Sequence, residues 1–128
     1  MQRRTRQRAA IDSVLRKAKR PLSPREVLEQ TRLAVRAVGL ATVYRNLKLL
    51  VADGSVRAIS LPGEAPRYEA ARHDHHHHFQ CTRCHRVYDV PGCPGNLRRL
   101  APRGFTVEEH EVTLYGRCAE CRQRRRNR

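Results

Sequence analysis

The sequence predicts an α+β chain in two parts: a helical first half that closes in a short β-hairpin, and a second half of short strands organised around metal ligands. Three observations predict it. Helical periodicity runs through the first half, two Cys-x-x-Cys pairs and a histidine run stand in the second, and charge divides the same way. Of the net charge of +15 over 128 residues, residues 1–60 hold 14 basic and 4 acidic side chains, a net of +10, with no Cys and no His. Residues 61–128 hold 13 basic and 8 acidic, a net of +5, with all five Cys and all seven His. Such an excess calls for a polyanionic partner, nucleic acid before membrane surface. No run of 18 apolar residues exists, which excludes a transmembrane helix. The start, Met1 to Thr5, is charged with no apolar stretch behind it, so no secretory signal is expected and the expected compartment is reducing and cytoplasmic.

In chain order, Thr5 is expected to cap a helix whose Ala9, Ile11, Val14, Leu15 and Ala18 share a face. Ser23-Pro24-Arg25-Glu26 reads as a capping box with Pro at the first helical position, and Val27, Leu28, Thr31 and Val35 continue that helix. A third helix runs from Leu40 to Ala52, with Val43, Leu47, Leu50 and Val51 inward and Gly54 as its stop. Strand-prone Ser55–Leu61 and Arg67–Glu69 flank the turn Leu61-Pro62-Gly63-Glu64-Ala65-Pro66. Three helices and a hairpin make a winged helix-turn-helix.

Beyond it, His77–Cys81 and Arg86–Val90 are strand candidates, Asn96–Ala101 a short helix, and Phe105–Tyr115 a longer β run. Exposed strand edges in so small a domain suggest pairing with a second copy of the chain. The fold class is therefore an N-terminal winged helix-turn-helix followed by a small α/β dimerisation and metal-binding domain. The expected divisions are residues 1–66, 67–121 and a basic tail, 122–128.

Cys81-x-x-Cys84 and Cys118-x-x-Cys121 are separated by 33 residues. Each pair can form a tight knuckle that bites one tetrahedral ion, and two knuckles complete a closed, structural Zn²⁺ site. The run His73-Asp74-His75-His76-His77-His78 enters the strand before the first knuckle. Alternate strand residues share a face, so His76 and His78 point one way, His75 and His77 the other. Glu69 and Asp89 can add oxygen ligands beside His76 and His78, and His110 can join His75 and His77. Mixed N/O sites suit Zn²⁺, Fe²⁺, Mn²⁺ or Ni²⁺, and affinity alone does not select among them. On the third helix, Thr42, Arg45, Asn46 and Lys48 fall on the outer faces, and in a major groove Arg45 can pair with guanine while Tyr44 meets a thymine methyl or a phosphate.

Ala41-Thr42-Val43-Tyr44-Arg45-Asn46-Leu47, Arg67-Tyr68-Glu69, the His run, Cys81-x-x-Cys84 and Tyr115-Gly116-Arg117-Cys118-x-x-Cys121 together resemble the ferric uptake regulator family, in order and over nearly the whole chain. The resemblance implies a cytoplasmic homodimeric repressor whose winged helix binds an inverted-repeat DNA operator when a regulatory metal is loaded. It implies structural zinc at Cys81, Cys84, Cys118 and Cys121, and a regulatory metal at Glu69, His76, His78 and Asp89. An additional metal falls to His75, His77 and His110, and DNA contacts to Tyr44 and Arg45, with Arg3 or Arg4 in a minor groove.

Three departures stand out. Iron and peroxide sensors of the family usually add a His near Arg20 or Pro21, but this chain has none before His73, so closure must work through other groups such as Glu69 and His73. The acidic ligand usual for the additional site falls near Asn96; Cys93, nearby, is either a soft ligand or a buried small hydrophobe. A family N-terminal helix ahead of Thr5 is missing or very short.

Two other function classes compete. A zinc-bearing RNA-binding module without metal sensing explains the charge and the cysteine pairs, but not the His run or the winged order. A metallohydrolase needs an open metal position and a general base, and no HExxH-type motif is present.

Overall fold

The computed structural model describes residues 2–71 and 76–126. Two compact units, Met1–His73 and Asp74–Arg128, make up the chain. The division falls later than residue 66 because the second hairpin strand pairs back onto the first and stays with the helices.

The first unit holds α1 (Gln2–Ala18), α2 (Pro24–Arg32), α3 (Leu40–Ala52), β1 (Val56–Ile59) and β2 (Arg67–Ala70). Helix α1 begins three residues before Thr5, which therefore lies inside the helix and does not cap it; the surrounding Arg, Gln and Ala are good helix formers. It stops at Ala18 because Lys19 turns to a left-handed φ of +56°. Both halves of the α2 capping box form: the Glu26 N–H donates to Ser23 Oγ (3.2 Å), and the Ser23 N–H donates to Glu26 Oε1 (3.0 Å).

The same carboxylate accepts from Arg20 (2.9 Å) and Arg67 (3.1 Å), joining the α1–α2 turn, the start of α2 and β2. Burial pushes the Glu26 carboxyl up, but the Ser23 N–H and the two guanidinium groups more than offset it, and its pKa falls below the ordinary 4.5. A depressed carboxylate pKa contributes stability that is present above pH 4.5 and lost as pH falls through the folded value. Glu26→Ala is expected to cost the first unit about 2 kcal/mol at neutral pH, the sum of a lost cap and two half-buried ion pairs. Urea melts at pH 7 and pH 3 check this: the difference between wild type and variant should shrink at the acid end.

Ile11, Leu15, Val27, Val43, Leu47 and Leu50 form the heart of the core, fully or nearly fully buried. Two expected inward residues are exposed instead, Ala9 and Val51. Ala9 lies about 120° around its helix from the nearest core residue, Leu15, whereas Val51, one turn beyond Leu47, sits at the edge of the core face in the last turn of α3. Conversely Asn46 is buried with Val43, Leu47 and Leu50, because positions i, i+3, i+4 and i+7 from Val43 make one face. Strands β1 and β2 pair antiparallel, Val56 opposite Ala70 and Ile59 opposite Arg67, and Gly63 (φ +75°) turns between them. Leu22, between α1 and α2, bridges Tyr68 through two backbone bonds of 2.7 and 2.8 Å. The result is a winged helix-turn-helix.

The second unit holds β3 (His77–Cys81), β4 (Val87–Val90), a 3₁₀ turn (Leu97–Leu100), β5 (Thr113–Gly116) and α4 (Ala119–Arg126). The sheet order is β4-β3-β5, with β4 antiparallel and β5 parallel to β3. The long β run expected over 105–115 is confined to its end. β3 pairs with β5 over only four residues, His78 to Cys81, and the stretch before it is crowded with Glu108, Glu109 and Glu111. The expected basic tail is helical to Arg126, because the second cysteine knuckle starts a helix: the Arg122 N–H donates to the Cys118 carbonyl (3.0 Å). Among the described residues no helix is long and apolar enough to cross a membrane.

Candidate metal centres

Cys81 ends β3, Cys84 follows in a tight turn, Cys118 comes two residues after β5, and Cys121 lies in the first turn of α4. The parallel pairing of β3 with β5, Cys81 opposite Gly116, brings the knuckles together despite their separation in sequence. All four sulfurs lie within 4.8 Å of one another, and Cys84 Sγ is 3.8 Å from Cys118 Sγ. Four sulfurs around a tetrahedral zinc with bonds of about 2.3 Å stand about 3.8 Å apart, so the four thiols are gathered closely enough to hold one ion. The knuckle is shaped by backbone N–H groups of Cys84 and Cys118, each 3.4 Å from Cys81 Sγ, and by His85 at a left-handed φ of +65°.

Burial pushes the Cys81 thiol up, but the N–H groups of Cys118, Cys84 and Arg83 outweigh it and bring its pKa down to about 5. Cys121 moves the other way, to about 12, through burial and three neighbouring sulfurs. Burial also pushes the Cys118 thiol up, but the Cys121 N–H more than offsets it, so two thiols are lowered, while Cys84 and Cys121 are raised and ionise against a cation. With every tetrahedral position taken by protein, the chemistry is structural.

His76 precedes β3, His78 lies on it, and Asp89 sits opposite His78 on β4. His76 Nε2 and His78 Nε2 stand 3.7 and 3.6 Å from the same Asp89 Oδ1, with their rings edge-to-face at 5.1 Å. Two imidazoles and a carboxylate, all largely buried, thus converge from one face of the β3–β4 pair, as strand alternation predicts. Glu69 lies in the first unit, on β2 opposite Arg57.

On the other face, His77 and His110 rings lie 5.1 Å apart, and their Nε2 atoms stand 3.4 and 3.3 Å from Cys93 Sγ. Cys93 is exposed, which removes the buried-hydrophobe alternative. Asn96 takes no part: its side chain accepts the Arg98 N–H (3.0 Å) and caps the 3₁₀ turn. His75 and His73 lie outside the described residues.

In the first unit, Tyr44, Arg45 and Lys48 are exposed along α3, and Arg45 donates to Thr42 Oγ1 (3.3 Å). Asn46 departs from the outward reading; it is buried, and its Nδ2 donates to the Thr42 carbonyl (2.9 Å). A cleft of about 350 Å³ between α1 and α3 is lined by Thr5, Gln7, Arg8, Thr42, Arg45 and Leu49. No motif singles out Arg8, which lines this cleft while its guanidinium donates to Asp53 Oδ2 (3.2 Å). Arg3 and Arg4 fall in the first turn of α1, where only the backbone is described.

Residues 2–115 match a family described as Ferric uptake regulator family. The Transcriptional regulator FurA of Mycobacterium tuberculosis is 37% identical over 93 residues, 70% of this chain and 63% of that protein. The chain thus spans somewhat less than two thirds of that relative's length. Ferric uptake regulation protein 2 of Mycolicibacterium fortuitum is 32% identical over 122 residues, 91% of this chain and 84% of that one. Among solved structures, the ferric uptake regulator from Francisella tularensis with iron superposes at a TM-score of 0.72, with 26% identity over 91% of both chains. The chain belongs to the ferric uptake regulator family.

Proposed function

We propose that the chain is a metal-responsive transcriptional repressor that binds an inverted-repeat DNA operator as a homodimer, and that its regulatory ion, Fe²⁺, Zn²⁺ or Mn²⁺, is held by Glu69, His76, His78 and Asp89. The observation that carries this is the convergence of His76 and His78 on Asp89, in a unit that directly follows a basic winged helix. The ion supplies two positive charges at a cluster of carboxylate and imidazole donors. Its binding favours whichever arrangement of the chain gathers those donors, and when that arrangement is also the one that fits the operator, metal and DNA binding are coupled. Glu69, on the wing strand β2, is the carboxylate that this ligand set takes from the first unit, in a chain without a His before His73.

The four cysteines hold structural zinc, and His77 with His110, joined by His75, forms the additional site. Edge strand β5 offers its free side to a partner copy, and Leu100, Phe105, Leu114 and Tyr115 are exposed apolar side chains of the same unit. On DNA, α3 enters the major groove: Tyr44, Arg45 and Lys48 face it and Thr42 orients Arg45, while buried Asn46 stays on the core side. Arg3 or Arg4 reaches a minor groove.

Arg45→Ala is expected to weaken operator binding about 10- to 100-fold and to relax discrimination at one base position, the effect of a lost bidentate guanine contact. Lys48→Ala should weaken all sequences alike and lower the salt slope by about 1. Fluorescence anisotropy with operator and scrambled duplexes at several salt concentrations separates the two. Equal losses on both duplexes for Arg45→Ala would remove α3 from base readout.

A further inference from the structure

We propose that His77, Cys93 and His110 form a thiolate-bearing metal site that takes Zn²⁺ in preference to Fe²⁺ or Mn²⁺. The inference rests on the additional-site reading of His75, His77 and His110, and adds a sulfur ligand and the class of ion. Two imidazole nitrogens stand 3.4 and 3.3 Å from one sulfur. Around a tetrahedral zinc, with bonds of about 2.3 Å to sulfur and about 2.05 Å to nitrogen, such atoms stand about 3.5 Å apart. The three donors are therefore spaced for one small ion.

Their chemistry sets the preference. A thiolate with two imidazoles is a soft-to-borderline set, which favours zinc over the oxygen-seeking Mn²⁺ and, less sharply, over Fe²⁺. The surroundings agree: a recess of about 250 Å³ beside the donors is walled by Val90, Val112 and Leu114. Cys93 sits in Pro91-Gly92-Cys93-Pro94-Gly95, where two prolines restrict the loop and Gly95 turns it at φ +92°. Because Cys93 is exposed, an ion can reach the donors from solvent. The cluster on the opposite face has a carboxylate with its two imidazoles and no sulfur, so one strand presents a harder and a softer donor set to the same pool of metals.

Loading leaves a mark on the backbone. The Val112 N–H donates to His77 Nδ1 (3.0 Å), which places the hydrogen of a neutral ring on Nε2, facing Cys93 Sγ. Ion capture releases the Cys93 thiol proton to solvent and moves the ring hydrogen from Nε2 to Nδ1. The Val112 amide then loses its acceptor, one residue before β5 begins.

The test uses the full chain with zinc already in the four-cysteine cage. Added Co²⁺ should give a new sulfur-to-cobalt charge-transfer absorption that zinc displaces, and zinc loading should shift the Val112 amide resonance. Cys93→Ser should lose the absorption and bind zinc at least about 10-fold more weakly, while His110→Ala should weaken both. Iodoacetamide should label Cys93 in the wild type only before zinc is added. If Cys93→Ser binds zinc as the wild type does while His110→Ala does not, the thiolate assignment is overturned and the additional site survives without it. If neither substitution alters zinc binding or the Val112 resonance, both fall.

Discussion

Cys81→Ser should release the structural zinc and unfold the second unit while the first stays folded. Among the described residues the buried apolar side chains of that unit are few: Cys81, Cys118 and Cys121 cluster with Tyr88 packed against them, and Val87 is buried as well. A closed zinc site contributes about 10–16 kcal/mol at neutral pH, as much as or more than the whole stability of a typical domain. The first unit has its own core around Ile11, Leu15, Val43 and Leu47, without a metal ligand in it. Native mass spectrometry should show one zinc fewer, and limited proteolysis should leave a resistant fragment ending near residue 73. Protons compete for the same cage. Cys121 keeps its proton up to about 12 in the absence of a cation, so zinc binding displaces protons and must weaken as pH falls. A Cys81→Ser protein with an intact second unit would show that strand pairing, not zinc, holds that unit together.

His76→Ala with His78→Ala should have the opposite profile. Zinc in the cysteine cage stays, the fold stays, and metal no longer tightens operator binding. The expected loss is the whole coupling, about 10- to 100-fold in affinity, corresponding to about 1–3 kcal/mol. Removing two of three converging donors leaves Asp89 without its imidazole neighbours on that face. A double variant that still responds to every metal would move sensing to another site, the His77–Cys93–His110 cluster first.

Much of this was legible in the residues. Helix α3 occupies the expected Leu40–Ala52, the Ser23–Glu26 capping box forms on both sides, and β3 runs from His77 to Cys81 as its pattern predicts. These are local signals: a cap, a periodicity, an alternation. Period 2 also sorted the histidines, sending His76 and His78 to Asp89 and His77 to His110. The errors arise where local pattern yields to neighbours. Asn46 is polar and was placed outward, yet its amide is satisfied by the Thr42 carbonyl, which lets it join the buried face. The β run ahead of Thr113 found no partner strand beyond the length of β3. Cys93 lies 16 residues after His77 and 17 before His110, inside a Pro/Gly loop that reads only as a turn. No spacing rule connects three residues that far apart; the sheet does.

The central claim is that metal bound by the second unit governs DNA binding by the first. The most direct measurement is an anisotropy titration of an inverted-repeat operator with purified protein that retains its cysteine-bound zinc, run with a chelator and then with Fe²⁺, Mn²⁺ and Zn²⁺ one at a time. At least one metal should tighten binding about 10- to 100-fold over the chelated protein. Equal affinity in every condition would contradict the account.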